Sequence, residues 1–429
     1  MMKKILYIIV DGLGDQPLET LGQKTPLEAA FTPMLDLLAQ KGKTGIVYPA
    51  GKGIVSESGI ALMGLLGYDA RMLSTGRGPL EAFAEGIIFN EGDLAVRANF
   101  ASVGEDGTIK DRFLGDLSTQ EITGLTQEIN TQLILSSAAF ELKYTAGHGG
   151  ALVIRSLRSR LSGEISNTDP AYARQGVPGV AEGEFEPRVL ASEPLEESRD
   201  NAHAAEAARL LNEFTEKSHA ILENSPINKV RMSIGKAPAN MLLCRDAGDR
   251  LPVFTAIADC FNGLQCGALV EMPVERGIAL LCGMEIVKVP PSGQRPEADY
   301  ERWVDLVVQS SNYFDCLYIH LKGPDACGHK RDGAAKKTSI ETIDKHFFKP
   351  LFSKIAVDDY IIAVTGDHVV SSESGSRTAD PVPLVISGPG ISADGSMSFS
   401  EKTARAGSLG EIMGIDLLKM IVGFARQPL

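Results

Sequence analysis

Three largely apolar segments, drawn from opposite ends of the chain, each lead into acidic or imidazole side chains. The segments are residues 5–10, 316–321 and 360–364, and the side chains that follow them are Asp11, then Asp325 and His329, then Asp367 and His368. Continuous apolar runs are typical of strands buried in a parallel sheet, and open α/β folds bind their ligands at the carboxyl ends of such strands. Carboxylates and imidazoles are also common ligands of divalent cations. The pattern therefore predicts an α/β sheet with a divalent metal site at one edge.

The chain has 429 residues, which is too long for one ordinary core, so we expect two domains. No apolar run reaches the roughly 18 residues that a membrane span requires, and the short apolar stretch near the amino terminus is interpreted as a first β-strand rather than a signal peptide. The net charge of −13 argues against a nucleic-acid partner, which needs basic surface. Local arginines and a metal ion would still permit a small anionic substrate.

Six cysteines are scattered along the chain, and no two of them form a Cys-x-x-Cys pair. In a chain of this size, such spacing is typical of reduced, mostly buried thiols rather than of a disulfide framework. The cysteines therefore predict a cytoplasmic protein.

Helix and strand signals alternate at both ends of the chain. Two Thr-Pro pairs, at positions 25–26 and 32–33, place an N-cap threonine before a proline at the first helical position. Helices that alternate with apolar strands imply a mostly parallel sheet with helices on both faces. The middle of the chain has more polar, strand-like stretches, a loop rich in proline and glutamate, and one alanine-rich helix. We predict an α/β core of residues 1–85 and 250–429, interrupted by an inserted α+β domain at residues 86–249.

The acidic and imidazole residues differ in how strongly their spacing points to a metal. Asp325 and His329 are four residues apart, one helical turn, so both can face a single ion. Asp367 and His368 are adjacent at the end of an apolar strand, where ionisable groups are costly without a partner. Asp11 precedes a glycine and is equally compatible with an ordinary turn. Together the five residues favour one shared site over unrelated turns.

Ser58 is a candidate nucleophile because it precedes a predicted helix over residues 60–66, whose amino-terminal end would favour a developing alkoxide or a bound phosphate. A metal ion beside the hydroxyl would lower its pKa. Ser56 fits the same description, and either serine could instead be a plain N-cap. Arg77, in a glycine-rich loop, and Lys322, just past a strand end, are candidate phosphate ligands or solvated charges.

Nine longer motifs occur in an order and at spacings that resemble one known family. They are Val10-Asp-Gly-Leu-Gly-Asp-Gln-Pro, Lys24-Thr-Pro-Leu-Glu-Ala-Ala, Leu66-Gly-Tyr-Asp, Thr75-Gly-Arg-Gly-Pro-Leu-Glu-Ala, Arg97-Ala-Asn-Phe-Ala, Pro238-Ala-Asn, His320-Leu-Lys-Gly-Pro-Asp-Ala-Cys-Gly-His, Thr365-Gly-Asp-His and Asp380-Pro-Val-Pro-Leu. By these motifs the chain resembles, nearly end to end, the archaeal-type cofactor-independent phosphoglycerate mutases of the alkaline phosphatase superfamily.

The resemblance implies an alkaline-phosphatase-like core with two divalent ions, manganese or zinc, at the strand ends. By motif, the ligands of one ion are Asp11, Ser58, Asp367 and His368, and two ligands of the other are Asp325 and His329. Spacing to the Gly67-Tyr-Asp motif selects Ser58 over Ser56 as the serine that takes the phosphoryl group and returns it to a different hydroxyl of glycerate. The inserted domain is expected to close over this substrate and re-orient it. We expect Ser58, Lys322 and Arg77 to be the catalytic residues.

The sequence departs from the family pattern at metal and phosphate contacts. Gly59 and Ile60 follow the serine where Asp-Thr is usual. Arg377 stands at the position of the second ion's remaining histidine, and a guanidinium has no lone pair to give to a metal. Three further positions also lack the expected basic side chain, namely Ala171, Phe113 and Asp116.

These departures leave three interpretations open. A single ion at the first set of ligands would activate the serine, while Arg377 stands where the second cation belongs. Alternatively, Asp325 and His329 bind a weaker second ion that water completes. In the third interpretation mutase activity is lost, and the chain is a phosphohydrolase, a transferase acting on another substrate, or a non-catalytic binder of phosphate esters. The favoured prediction is metal-dependent interconversion of 2- and 3-phosphoglycerate through a phosphoserine at Ser58, without a nucleic-acid or membrane partner.

Overall fold

The chain divides into two compact units, and its structure is a computed structural model. The described residues are 2–55, 58–69, 76–145, 147–172, 185–290 and 295–427. The first unit comprises residues 1–72, 254–271 and 278–429, and the second comprises residues 73–253 and 272–277. The first unit is therefore assembled from segments that lie far apart in the sequence.

The strands, in chain order, are β1 (Lys4–Val10), β2 (Lys43–Tyr48), β3 (Leu94–Val103), β4 (Ile109–Asp111), β5 (Ala138–Tyr144), β6 (Gly149–Ser156), β7 (Met241–Gly248), β8 (Cys266–Leu269), β9 (Glu285–Ile286), β10 (Cys316–Leu321), β11 (Tyr360–Gly366), β12 (Val369–Val370), β13 (Arg377–Thr378), β14 (Val382–Ser387) and β15 (Gly410–Met413).

The α-helices are α1 (Pro26–Ala29), α2 (Pro33–Lys41), α3 (Ser58–Leu65), α4 (Arg77–Ala84), α5 (Thr119–Gln132), α6 (Ala202–Asn224), α7 (Pro226–Ser233), α8 (Ile257–Cys260), α9 (Pro273–Leu281), α10 (Pro296–Ser310), α11 (Pro324–His329), α12 (Gly333–Ile343), α13 (Lys349–Lys354), α14 (Glu401–Arg405) and α15 (Gly414–Arg426). Short 3₁₀ turns occur at Glu19–Leu21, Glu196–Ser198 and Val357–Asp359, and Asp344–Phe348 is a π-helical turn. Within the described ranges, no helix is both long enough and apolar enough to cross a bilayer.

The first unit is organised around an eight-stranded sheet in the order β15-β2-β14-β11-β1-β10-β8-β9. β1 pairs in parallel with both β10 and β11. β14 runs antiparallel to its neighbours β11 and β2, so the sheet is mostly, not wholly, parallel. β10 and β14 are buried along their whole length, and β1 and β11 are buried after their first residue, as their unbroken apolar sequences require. The predicted α/β class is confirmed.

The second unit contains an antiparallel sheet in the order β4-β3-β6-β5, with β7 paired to β3. Side chains from these strands pack with α5 and α6 in one apolar core that includes Phe100, Ile122 and Phe214. β3, β6 and β7 are buried along nearly their whole length, whereas most residues of β4 and β5 are accessible. A closing motion of this unit over a substrate stays a prediction.

The two predicted N-caps of the first unit behave differently. The hydroxyl oxygen of Thr25 accepts a hydrogen bond from the backbone N–H of Glu28 at 3.0 Å and caps α1. Thr32 precedes α2, but its side chain makes no capping bond. The carboxylate of Asp344 accepts instead from the backbone N–H groups of residues 34 and 35 at 2.9–3.2 Å. Helix α2 begins where it was predicted, but the predicted capping bond of Thr32 is wrong. The carboxylate of Asp344, distant in the sequence, accepts from the first N–H groups of the helix instead.

Candidate active site

Backbone pairing brings the ends of β1, β10 and β11 together. Val10, the last residue of β1, lies opposite Leu321 on one side and Gly366 on the other. The next residues continue the contact, because the N–H of Asp11 donates to the carbonyl of Leu321 at 2.9 Å. The N–H of Asp325 in turn donates to the carbonyl of Asp11 at 3.1 Å. Three acidic residues that are far apart in the sequence therefore meet at the carboxyl edge of the sheet.

Gly12 is required where these loops cross. Its backbone has φ of +63°, and a Cβ atom added there would lie 2.7 Å from the Cα of Asp325. Its N–H donates to Oδ1 of Asp367 at 2.9 Å and fixes the orientation of that carboxylate. Only glycine combines this backbone conformation with so close an approach.

Three polar atoms of the site are buried together without hydrogen-bond partners. They are Oδ1 of Asp11, Oδ2 of Asp367 and Nδ1 of His368, and none of them bonds to any residue that the structure describes. Nδ1 of His368 lies 2.9 Å from Oδ2 of Asp367, without the alignment of a hydrogen bond, and 4.0 Å from Oδ1 of Asp11. Buried polar atoms without partners are costly, so this trio points to a ligand.

A carboxylate orients the imidazole of His368. Its Nε2 lies 2.7 Å from Oδ1 of Asp325. Because an ionised carboxylate can only accept a hydrogen bond, Nε2 is the nitrogen that carries the hydrogen. In the neutral imidazole the lone pair is then on Nδ1, which faces the two unpartnered oxygens. A histidine that donates one N–H to a carboxylate while the other nitrogen faces a metal is a frequent arrangement in metalloproteins.

The pKa values of these groups reflect crowded negative charge. Burial raises the pKa of Asp11 to about 7, with a lowering contribution from Lys322 and raising ones from Asp367 and Asp325. Burial also opposes ionisation of Asp367, but His368, His320 and Lys322 together outweigh it and hold the Asp367 pKa well below its usual range. Although burial and Arg377 lower the pKa of His368, Asp367 and Asp325 raise it to about 9. A bound divalent cation would neutralise the carboxylates directly.

The donor set fits a divalent ion. Two ligands held at 2.0–2.2 Å from one ion lie within about 4.4 Å of each other, and the measured separations from Nδ1 of His368 satisfy that limit. Two groups of potential ligands can be formed from the described residues, and they share Asp11. One adds Asp325 and His368, and the other adds His320 and Asp367.

Lys322 and His320 complete the surroundings of this cluster. Nζ of Lys322 donates to Oδ2 of Asp11 at 2.7 Å. His320 is fully buried on β10, with Nε2 3.7 Å from Oδ2 of Asp367 and Nδ1 3.2 Å from the hydroxyl of Tyr318. The sequence reasoning placed Lys322 here but did not assign His320 as a ligand.

Ser58 is the first residue of α3, in the same unit as the cluster. Its side chain lies outside the described part of the structure, as does Ser56 altogether. The predicted helix is present, which places the backbone of Ser58 at a helix amino terminus.

Arg77 belongs to the second unit, where it begins α4 and joins a group of buried charges. Its guanidinium is 3.7 Å from Oε1 of Glu81, which also lies 3.0 Å from Nε of Arg97. Arg245 contacts Oδ2 of Asp246 at 3.1 Å, and Arg97 approaches the same oxygen at 4.0 Å. Among the described residues, three arginines thus contact two carboxylates.

Burial and the crowding of arginines lower pKa values in and beside this group. Burial, followed by the charges of Arg245 and Arg77, lowers the pKa of Arg97 to about 10. Burial, followed by the charges of Arg97, Arg245 and Arg112, lowers the pKa of His148 to about 4. Such a group suits an anionic ligand that would neutralise it.

Arg97 and Arg245 were not assigned a role from the sequence, although one signal was available. Both lie within buried strands, β3 and β7, where a charged side chain is costly unless it is paired or functional. Asp116, by contrast, has a structural role, since it pairs at 2.8 Å with the fully buried Arg231.

A buried network holds the loops that carry the metal-site residues. Nζ of Lys336, fully buried, donates to the carbonyls of Gly14 and Val370 at 2.7 and 2.8 Å and to Oδ2 of Asp15 at 2.9 Å. It thereby links the loop after β1 to the strand after His368. Glu401 extends the network, accepting from the N–H of Asp15 at 3.2 Å and, through its other oxygen, from the hydroxyl of Thr25 at 2.6 Å.

We expect Glu401 to make the stability of the protein depend on pH. Burial raises its pKa to about 7, above the value of about 4.3 in an unfolded chain. The folded state therefore binds the proton of Glu401 more tightly than the unfolded chain does. The stabilisation that this provides is complete below about pH 4.3 and is lost as the pH rises through 7. Urea unfolding of the wild type and of E401Q measures this effect. Across this pH range, the free energy of unfolding of the wild type should fall by up to about 3 kcal/mol relative to that of the variant.

The control for this prediction is E19Q, because Glu19 is exposed in a 3₁₀ turn and has no such network. That variant should follow the pH dependence of the wild type. Parallel curves for the wild type and E401Q would contradict the prediction.

Proteins of one family match this chain along its length. A sequence model described as 2,3-bisphosphoglycerate-independent phosphoglycerate mutase matches residues 39–228. A protein of that name from Aeropyrum pernix is 40% identical over 422 residues, which cover 96% of each chain. Another, from Thermococcus kodakarensis, is 32% identical over 425 residues, covering 99% of this chain and 98% of its own.

Two solved structures show the same fold. The cofactor-independent phosphoglycerate mutase from Thermoplasma acidophilum has a TM-score of 0.63 and 31% identity, covering 99% of this chain and 100% of its own. A protein from Pyrococcus horikoshii has a TM-score of 0.77 and 26% identity, covering 100% and 99%.

Taken together, the relatives define an enzyme class, since a mutase is an isomerase. The chain belongs to the 2,3-bisphosphoglycerate-independent phosphoglycerate mutase family. The family resemblance inferred from the nine motifs is thereby confirmed.

Proposed function

We propose that the chain interconverts 2- and 3-phosphoglycerate in a metal-dependent reaction that passes through a phosphoserine at Ser58. The observation that carries the metal requirement is the buried trio of unpartnered atoms on Asp11, Asp367 and His368. Family membership supports the substrate. The family resemblance adds Ser58 as a further ligand and places Asp325 and His329 at the same site, where Asp325 contacts both His329 and His368.

The two transfers balance without a co-reactant. In the first, Oγ of Ser58 bonds to phosphorus while the bond from phosphorus to one glycerate oxygen breaks, and the serine proton ends on that oxygen. In the second, the other glycerate hydroxyl bonds to phosphorus, the serine–phosphorus bond breaks, and the proton returns to Ser58. A divalent ion would stabilise the serine alkoxide and the phosphoryl charge.

The chain's own residues would supply orientation and charge. Asp325 holds the imidazole of His368 through Nε2, and Gly12 fixes the carboxylate of Asp367. Lys322 places a positive charge at the cluster through its bond to Asp11. Arg77 is proposed as a catalytic residue from the family resemblance, and within the second unit it lies in a group of charges with Arg97 and Arg245.

A second candidate is a phosphohydrolase or transferase that acts on another phosphate ester. Arg377 and Gly59 favour it, because both replace residues that are usual in the family at metal or phosphate contacts. Such an enzyme would release inorganic phosphate or modify a different acceptor.

The test is a coupled assay that measures conversion of 3-phosphoglycerate to 2-phosphoglycerate. We expect turnover by the protein as purified with manganese or zinc, loss of turnover after chelation, and recovery when either ion is restored. Inorganic phosphate is measured in the same samples. Phosphate release without 2-phosphoglycerate would favour the second candidate, and full mutase activity after complete metal removal would overturn the metal-dependent mechanism.

A further inference from the structure

Positively charged or proton-donating groups surround the carboxylate of Asp325. All three of its close partners approach the same oxygen, Oδ1. Nε2 of His368 lies at 2.7 Å, Nε2 of His329 at 3.4 Å, and a terminal nitrogen of Arg377 at 3.6 Å. The negative charge of Asp325 is therefore balanced by this chain's own side chains.

The position of Arg377 is fixed by backbone pairing. β13 pairs with β12 directly after the Asp367–His368 pair, and Arg377 lies opposite Val370. The turn between these strands is closed by the N–H of Ser371, which donates to the carbonyl of Ser376 at 2.9 Å. Since the hairpin begins one residue after His368, the guanidinium is carried close to the site by short, hydrogen-bonded backbone.

His329 is held between the same hairpin and Asp325. Its Nδ1 lies 2.8 Å from the carbonyl oxygen of Gly375, so that nitrogen donates, and its Nε2 faces Asp325. Neither group of potential metal ligands among the described residues includes His329.

The unpartnered atoms belong to the other three residues of the cluster. Oδ1 of Asp11 and Oδ2 of Asp367 offer lone pairs to a cation, and so does Nδ1 of His368 when its imidazole is neutral. Oδ1 of Asp325, in contrast, is already shared among three partners. A second divalent ion at Asp325 would stand against the positive guanidinium of Arg377, which cannot give it a lone pair. Because the two potential ligand groups share Asp11 and the group that contains Asp325 faces Arg377, the residues present favour one ion over two.

We propose that this chain binds a single divalent cation through Asp11, Asp367 and His368, and that Arg377 supplies the second positive charge of the site by pairing with Asp325. The inference rests on the proposed metal dependence and adds the number of ions and the origin of the second charge. Asp325 then acts as a positioning residue, because it orients His368 instead of binding an ion.

The test counts metal ions in the full-length protein, using manganese as the probe. Elemental analysis after equilibrium dialysis against Mn²⁺ should give one ion per chain for the wild type and for R377K, which keeps the charge. R377H removes the charge and adds a nitrogen ligand beside Asp325 and His329, so it should bind two ions. Electron paramagnetic resonance should show an isolated ion in the wild type and a spin-coupled pair in R377H.

Failure of this inference differs from failure of the proposed function. Two ions per wild-type chain, together with metal-dependent turnover, would overturn the single-ion site and leave the function intact. One ion in the wild type and still one in R377H would overturn the role of Arg377. No bound ion in the wild type would overturn both the inference and the metal dependence. Each variant's circular dichroism and unfolding midpoint show whether it has folded.

Discussion

Replacing Ser58 by alanine is expected to lower kcat/KM for phosphoglycerate interconversion by at least about 10⁴-fold, because loss of a nucleophile removes the covalent route. The variant should fold normally, since alanine is a good helix former at the first position of α3. It should also retain its metal, because Asp11, Asp367 and His368 are unchanged. The measurements are the coupled assay at saturating manganese, the ion count per chain, and a search for phosphoserine by mass spectrometry after brief incubation with substrate.

The matched control for S58A is S56A, which removes a hydroxyl two residues earlier in the sequence. It should keep most of the activity and should still form a phosphorylated protein. If S56A loses activity while S58A keeps it, Ser56 is the nucleophile, and the spacing argument that selected Ser58 is wrong.

Changing Asp367 to asparagine is expected to remove tight metal binding and to lower kcat/KM by at least about 10³-fold. The substitution preserves the shape of the side chain and an oxygen that can still accept the hydrogen bond from Gly12. It removes the negative charge that the ion needs and leaves an amide facing His368. The measurements are manganese content after dialysis and the dependence of activity on added manganese, which should shift to much higher concentrations.

The control for D367N is D305N, because Asp305 is an exposed carboxylate whose partner is Lys354 on the surface. Loss of one surface pair changes stability by no more than about 1 kcal/mol, and activity and metal content should be unchanged. Wild-type manganese affinity in D367N would exclude Asp367 as a ligand.

Much of the first unit was predictable from the sequence because its strands are apolar runs of the right length. The runs before Asp11 and Asp367 identified the central strands and also the edge of the sheet at which they end. The direction of each strand was harder to predict from the sequence. β14 is as apolar as its neighbours yet runs antiparallel to them, and nothing in its composition distinguishes the two arrangements.

The candidate site was predictable where ligands directly follow strands, since neighbouring strand ends must meet. The arginine group of the second unit was not predictable from the sequence. Arg97 and Arg245 lie within strands, and only the tertiary structure brings them to their partners Glu81 and Asp246. The four-residue spacing of Asp325 and His329 suggested that both face one ion. In the structure the second nitrogen of His329 is bound to the hairpin at Gly375, a contact that spacing cannot reveal.

The central position of β1 has a consequence for how the chain is made. Both strands that pair with it, β10 and β11, begin more than 300 residues later. During synthesis the first apolar strand therefore leaves the ribosome long before its partners exist, whereas most of the second unit is one continuous segment, residues 73–253. Contacts of such long sequence separation form late and slowly. The nascent protein must keep β1 from aggregating until β10 and β11 have been made, and the proposed metal site cannot form before Asp367 and His368 have been added.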